Sequence, residues 1–354
     1  MTSRERLRTA LRRQEPDRLP RCEQSFWPET LARWRAEGMP ADATPAALFD
    51  LDAFHNVSLD NTLRLPVARL EETADCVVER DADGVVHRRW KHSYAAPAEV
   101  DFLIKTRADW ERWRDHLAFD PARISDGVRQ AIDAAAAAGE FCTVSPGEPV
   151  WWTLATLGME NGLMTLAGEP EFFADMMACQ ARLALEMLRK LLAEGYRPDG
   201  VLFSSDLCYR GGMLFSPDCY RRTMMHYHRQ VAEICHQHDM VLILHCDGDV
   251  RQFLPLLIEA GFDCIEPLEA RAGNDLRDLK PRYGDRISFF GNISMDVLAT
   301  GDRAAIRHEV TSKIAAGKPG GGYIHQSDHS VPPTVSYDAY RIWMDLARDL
   351  GDYH

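Results

Sequence analysis

The chain has no pair of cysteines spaced C-x-x-C. Its nine cysteines stand apart, at 22, 76, 142, 179, 208, 219, 235, 246 and 264. An odd, scattered set excludes a disulfide framework and reads as reduced thiols in a cytoplasmic protein. No apolar run approaches the ~18 residues that a membrane span needs. Positive charge is scarce too: 41 Lys and Arg stand against 54 Asp and Glu, a formal net charge of −13. That balance excludes the basic surface required for nucleic acid or an anionic membrane. The opening "MTSRERLRTALRRQEPDRLP" has charge throughout and no apolar h-region, so it does not read as a secretory signal. Neither G-x-G-x-x-G nor a Walker loop occurs, which removes the commonest reasons for an open nucleotide-binding sheet.

What is present is a long alternation. The 354 residues are 45% hydrophobic, enough for one large domain or two ordinary ones. No Ser/Gly-rich linker cuts the chain, and no internal repeat is readable. Residues 1–135 read as an N-terminal elaboration, with helices in "SRERLRTALRRQ" and "WPETLARWRAEG" and a β-hairpin over about 70–92. In that hairpin "CVVER" and "VVHRRW" flank the turn "DADG". From 136 to 354, short apolar runs alternate with amphipathic helices: "FCTVSP", "DGVLFSSD", "MVLILHCD", "DCIEPL", "ISFFGN" and "GGYIHQSD" are the strands. "LPRCEQSF" adds a seventh candidate near the start. "SPDCYRRTMMHYHRQVAEICHQH" reads as one helix, capped by Ser216. Apolar strands alternating with helices indicate a parallel sheet covered by helices, and this number of units predicts a single (β/α)8 barrel domain.

Barrel enzymes keep their chemistry at the C-terminal ends of the strands. Here successive strands finish in Asp206, in His245, Cys246 and Asp247, in Glu266 and Glu269, in Asn292, and in His325, Asp328 and His329. Each has a plain structural alternative. Asp206 can cap a turn, His245 can be a core histidine, and Glu266 can pair with an arginine. At strand period His245 and Asp247 share one face and Cys246 packs on the other, unless a bulge turns its thiol inward. His226 to His238 lie on and after a helix and read as a solvated face. Trp27, Trp151 and Trp152 either wall a pocket or fill the core.

Six stretches carry a family resemblance: "RLRTALRRQEPDRLP", "GMENGLMTLAGEPEF", "SSDLCYRGGMLFSPDCYRR", "LHCDGDVRQFLPLLIEAGFDCIEPLEA", "LKPRYGDRISFFGNI" and "GGYIHQSDHSVPPTVSYDAY". In content and order they resemble the uroporphyrinogen decarboxylase superfamily. The resemblance implies a (β/α)8 barrel and one of two activities: porphyrinogen decarboxylation, or methyl transfer to or from a corrinoid or thiol. The decarboxylases open with paired arginines. This chain has only Arg21, in "RCEQSFW", and Glu23 there would repel an acidic porphyrin. The methyltransferases carry a zinc site of H-x-C type with a later cysteine. Here that pattern becomes His245 and Asp247, with His329 near the later position. The resemblance therefore implies a methyltransferase or demethylase acting on a small methylated substrate. A divalent metal, zinc first, would be held by His245, Asp247 and His329, with Glu266 a fourth ligand or the partner that orients a histidine. Asp206 and Glu160 are the candidates for orienting substrate or moving a proton. Trp27, Trp151, Trp152, Asn292 and His325 are the candidates for binding it. Methylcobalamin would ride on a corrinoid protein in trans, and a homodimer would suit the exterior. Decarboxylation is the alternative, with Asp206 or Asp247 steadying a cationic intermediate and His329 at a carboxylate. A non-catalytic barrel that binds a small molecule is the third.

Overall fold

A computed structural model of the chain describes residues 1–92 and 96–353. The chain divides into two compact units: Met1–Val57, Gln130–Val144 and Arg197–His354 form the first, and Ser58–Arg129 with Ser145–Tyr196 the second. The division does not follow the boundary expected near residue 135. Residues 1–57 go with the parallel sheet, and 145–196 with the antiparallel one.

The first unit is built on a curled sheet of seven strands: β1 (Phe54–Ser58), β2 (Phe141–Ser145), β3 (Gly200–Ser204), β4 (Val241–His245), β5 (Cys264–Glu266), β6 (Ser288–Ile293) and β7 (Tyr323–Ser327). Spatial order equals chain order, and every pair from β2 to β7 is parallel. Each crossover therefore moves one place in the same direction, as a sheet winding around one core requires. The segment 20–22 lies on the free edge of β7. Cys22 donates its N–H to the His325 carbonyl at 3.0 Å, and His325 donates to that of Pro20 at 2.8 Å. On the other side, the Asp52 N–H reaches the Arg21 carbonyl at 2.6 Å.

The strands are apolar on both faces because helices cover one and the core fills the other. Val241, Ile243, Cys264, Phe290 and Ile324 point inward and pack with Phe141, Leu7 and Leu11, against Phe54 and Leu202. The first helix, Ser3–Leu11, begins in a reciprocal cap between Thr2 and Glu5. The expected helix after Ser216 breaks at Met224 into Pro217–Thr223 and Met225–Gln237. One histidine of that region is not on a solvated face: His228 is buried, with Nδ1 2.7 Å from the Tyr220 hydroxyl.

In the second unit the expected hairpin is the centre of a four-stranded antiparallel sheet, ordered Ala68–Glu72, Cys76–Arg80, Val85–Trp90, Ala98–Phe102. Its turn is held by Asp81, whose Oδ1 accepts from the N–H groups of Asp83 and Val85, both at 2.9 Å. The helices Pro149–Leu157, Met159–Gly168 and Pro170–Ala193 complete this unit. Among the described residues no helix is long and apolar enough to cross a membrane.

One glycine of the parallel sheet is irreplaceable on steric grounds. Gly291 in β6 has φ +113°, and a Cβ there would lie 1.8 Å from the Pro267 carbonyl oxygen. Gly291→Ala is therefore expected to cost about 2–4 kcal/mol, read as a fall in the thermal midpoint. An unchanged midpoint would contradict this packing of β6 against the turn after β5.

Candidate functional site

The site follows from the period of the strands. Side chains two apart share a face, so the interior position after each core residue is fixed. After Leu202 comes Ser204, after Ile243 His245, after Cys264 Glu266, after Ile324 Gln326, and after Phe54 Asn56. All five are polar. With Cys22, Glu23, Gln24, Leu202, Phe54 and Phe290 they line a cavity of about 240 Å³. The sheet interior is thus apolar until its last layer, where it becomes a pocket.

Register then sets the pairs. His245 lies opposite Ser204 on one side and Glu266 on the other. Its Nδ1 is 2.5 Å from Glu266 Oε2, and Glu266 Oε1 accepts from the Gln326 amide at 2.8 Å. Both carboxylate oxygens are engaged, the ring is fixed, and Nε2 is left to face a ligand. Burial alone would lower the His245 pKa. The charge and hydrogen bond of Glu266 outweigh it, with smaller help from Asp247 and Asp206, and raise it to about 10.

The donors of His245, Asp206 and Asp247 all lie within 4.8 Å of one another. Asp206 Oδ1 accepts the Asp247 N–H at 2.9 Å, which ties the end of β3 to the end of β4. Asp247 Oδ1 is buried without a hydrogen-bond partner. Burial raises the Asp247 pKa to about 6, with Asp206 and Glu269 adding to the rise and His245 and His329 opposing it. One imidazole, two carboxylates and an orphaned buried oxygen fit a divalent cation with a preference for nitrogen and oxygen. The two carboxylates line a second cavity of about 610 Å³, whose wall includes Tyr209, Arg210, Glu269, Arg271 and Asp296. The glycine after "HCD" has its reason here: Gly248 has φ +91°, and a Cβ would lie 2.7 Å from the Tyr209 backbone nitrogen.

Several expected positions fall elsewhere. His329 is half-buried and acts on Asp247 through its charge, but Asp206 takes its place in the tight group. Glu266 stands behind His245, with both its oxygens engaged there. Cys246 packs on the opposite face. It is fully buried, burial pushes its thiol pKa well up, and its Sγ is directed at the Asp247 carbonyl. His325 lines neither cavity. It sits on the outer face beside Tyr323, whose hydroxyl lies 2.9 Å from its Nδ1, and its Nε2 accepts from Trp343 at 2.6 Å. Burial, with Arg21 and Lys313, lowers its pKa to about 3 and keeps it neutral. Asn292 is also turned away. Left-handed φ values at Gly291 and Asn292 break the alternation, and the amide bonds to the backbone of Leu268, Asn274 and Leu276.

The remaining candidates line neither cavity. Trp27 is half-buried and precedes the helix Pro28–Ala36. Trp151 and Trp152 belong to the second unit, where Trp152 donates to Asp83 at 3.2 Å and packs on Trp110. Glu160 is exposed in that same unit and borders a separate surface cavity with Glu99, Lys105 and Met164. Arg21 reaches Asp50 at 2.6 Å and does not line the pocket. Glu23 does line it, but not as the repelling charge expected: burial raises its pKa to about 8, so it is mostly uncharged at neutral pH. Ser204, Gln326 and Asn56 were missed. Counting by two from His245, Glu266 and the inward core residues would have found them.

The buried pair has a pH signature in metal-free protein. The His245 pKa is raised on folding, so the pair's contribution is full below about pH 6.5 and lost as pH rises through about 10. Glu266→Gln is expected to cost about 3 kcal/mol near neutral pH and to flatten this alkaline loss in denaturant titrations. Equal pH slopes in the two proteins would contradict the pairing.

Residues 144–350 match the family model described as uroporphyrinogen decarboxylase (URO-D). Among curated proteins, the uroporphyrinogen decarboxylases of Chromohalobacter salexigens and Hahella chejuensis are each 24% identical, over 217 and 216 residues. Either alignment takes in 57% of this chain and 58% of the relative, so the chain spans less than two thirds of the curated proteins it matches. A solved methyltransferase from Methanosarcina mazei aligns over 99% of both chains with a TM-score of 0.66 at 15% identity, a likeness of fold. With most of its length inside that family model, this chain belongs to the uroporphyrinogen decarboxylase family, a family of enzymes.

Proposed function

We propose that the protein is a divalent-metal-dependent methyltransferase or demethylase of this family. It acts on a small methylated substrate and exchanges the methyl group with a corrinoid carried by a partner protein. In this reading residues 1–354 form one barrel-type domain, with the segment 20–22 closing the cylinder between β7 and β1. The observation that carries the proposal is the group Asp206, His245 and Asp247, with its orphaned Asp247 oxygen, His245 lining the small cavity and the two carboxylates the larger one.

The cavity's lining also weighs against the other family activity. It contains no lysine or arginine. Its cation, His245, is already bound to Glu266, and Arg21 is held by Asp50. A substrate with many carboxylates finds no free cation in that cavity, and of the two arginines lining the neighbouring cavity, Arg210 and Arg271, the second is held by Glu269. The decarboxylase reading keeps the support of the family model's description and of the curated relatives' names.

The roles follow from the geometry. Asp206, Asp247 and His245 Nε2 would hold the metal, with His329 beside them. When bound, the metal supplies Lewis acidity toward the substrate heteroatom that bears the methyl group. Glu266 holds the imidazole with Nδ1 as donor, and a metal would take the place of the Nε2 proton of the charged ring. The polar residues of the last strand layer orient the substrate, and Phe54, Leu202 and Phe290 exclude water around its apolar part.

Elemental analysis tests this reading. Purified wild type is expected to hold about one divalent ion, zinc first, per chain, and His245→Ala to lose most of it. Equal metal in both proteins would remove His245 from the site. His245 must lose a proton and Asp247 must be ionised to bind, so affinity should fall as pH drops below about 10 and fall more steeply below about 6. Affinity that is flat from neutral to acid pH would contradict their role as ligands.

A further inference from the structure

The mechanism so far makes no use of Glu23. It lies on the segment that runs along the edge of β7, and it lines the same cavity as His245 and Glu266. Two neutral hydroxyls and one backbone N–H fix its carboxyl, the Gln24 N–H reaching Oε1 at 3.1 Å. Ser327 bonds to Oε1, and Tyr340, from the helix Tyr337–Asp349, donates to Oε2 at 2.9 Å. Neither partner brings a positive charge. The other titratable groups facing it are Glu266 and His245, already paired with each other, Cys22 beside it, and Tyr340 itself. The donated hydrogen bonds favour its charged form, but burial outweighs them and the nearby Glu266 carboxylate adds to the rise, so the carboxyl keeps its proton.

We infer that Glu23 is the acid of this cavity, giving its carboxyl proton to the substrate heteroatom as the bond from that heteroatom to its methyl carbon breaks. The step balances. The methyl carbon bonds to a nucleophilic acceptor, the reduced cobalt of a corrinoid. The bonding pair stays on the heteroatom, which takes the Glu23 proton, and Glu23 is left as a carboxylate that solvent reprotonates. In the reverse direction the same carboxylate removes the acceptor's proton. Burial supports the assignment: Glu23 titrates at about 8, near the range where an acid serves best at neutral pH. The catalytic part of this inference rests on the methyltransferase reading, whereas the protonation of Glu23 does not.

The experiment therefore has two arms, both on the full metal-loaded chain. In the first, carbon-13 NMR follows the glutamate carboxyls between about pH 5 and about pH 10, with the Glu23 signal identified as the one missing from Glu23→Gln. A midpoint near 8 is expected, and one below about 6 overturns the proposal. In the second arm, cob(I)alamin is the methyl acceptor for two probe donors. The oxygen of 2-methoxyphenol needs a proton on leaving, whereas trimethylsulfonium departs as a neutral thioether. Glu23→Gln is expected to slow the ether reaction about 100-fold and the sulfonium reaction less than about 3-fold, with metal content unchanged. Glu23→Asp, which keeps an acid on a shorter arm, is expected to recover part of the ether reaction. Equal losses on both donors overturn the assignment. A wild type silent on both donors defeats the methyltransferase reading instead, and the NMR arm still decides whether Glu23 holds the proton.

Discussion

His245 and Glu266 sit opposite each other on neighbouring parallel strands, and most of the site depends on that one cross-strand pair. Buried and bonded, the carboxylate fixes both the orientation of the imidazole and the nitrogen that carries the proton. Gln326 from β7 completes the arrangement by filling the second oxygen of Glu266. Three strands thereby agree on one geometry before any ligand arrives. A half-satisfied version would be costly, because a charge left alone in the sheet interior has no water to stabilise it.

The remaining electrostatics is organised around the same pair. Asp206 and Asp247 lie close to His245, and the rise of Asp247 to about 6 comes first from its burial, with the Asp206 carboxylate adding to it. Glu23, mostly uncharged through burial, lines the same cavity as His245. His245 thus belongs both to the metal-favouring group and to the wall of the acid-lined pocket. The strain of the orphaned Asp247 oxygen and the desolvation of Glu23 are stability forgone at positions that a merely structural role would have filled with apolar side chains.

Much of this was readable in the sequence, for identifiable reasons. "VLILHCD" shows a buried strand running into polar residues, and the period of two separates His245 and Asp247 from Cys246. The parallel sheet and its strands were legible because apolar runs of strand length alternate with amphipathic helices. The failures were equally physical. His325 reads from its strand-end position as a substrate-binding residue, but counting by two from Ile324 leads to Gln326 and leaves His325 on the helix-covered face. Asn292 was misread because two left-handed residues undo the alternation just where it was being extrapolated. Choosing Asp206 over His329 requires knowing how loops return to the strand ends, which no local pattern encodes. The charge of Glu23 was misjudged because burial, not residue type, sets its protonation.

The central claim is that the tips of β3 and β4 converge on a cation with Glu266 standing behind it. Anomalous diffraction from crystals of metal-loaded protein tests this most directly. The account predicts a single strong peak bonded to His245 Nε2 and to carboxylate oxygens of Asp206 and Asp247, with Glu266 outside bonding distance. A peak coordinated by the Cys246 sulfur, or one remote from His245, would contradict it.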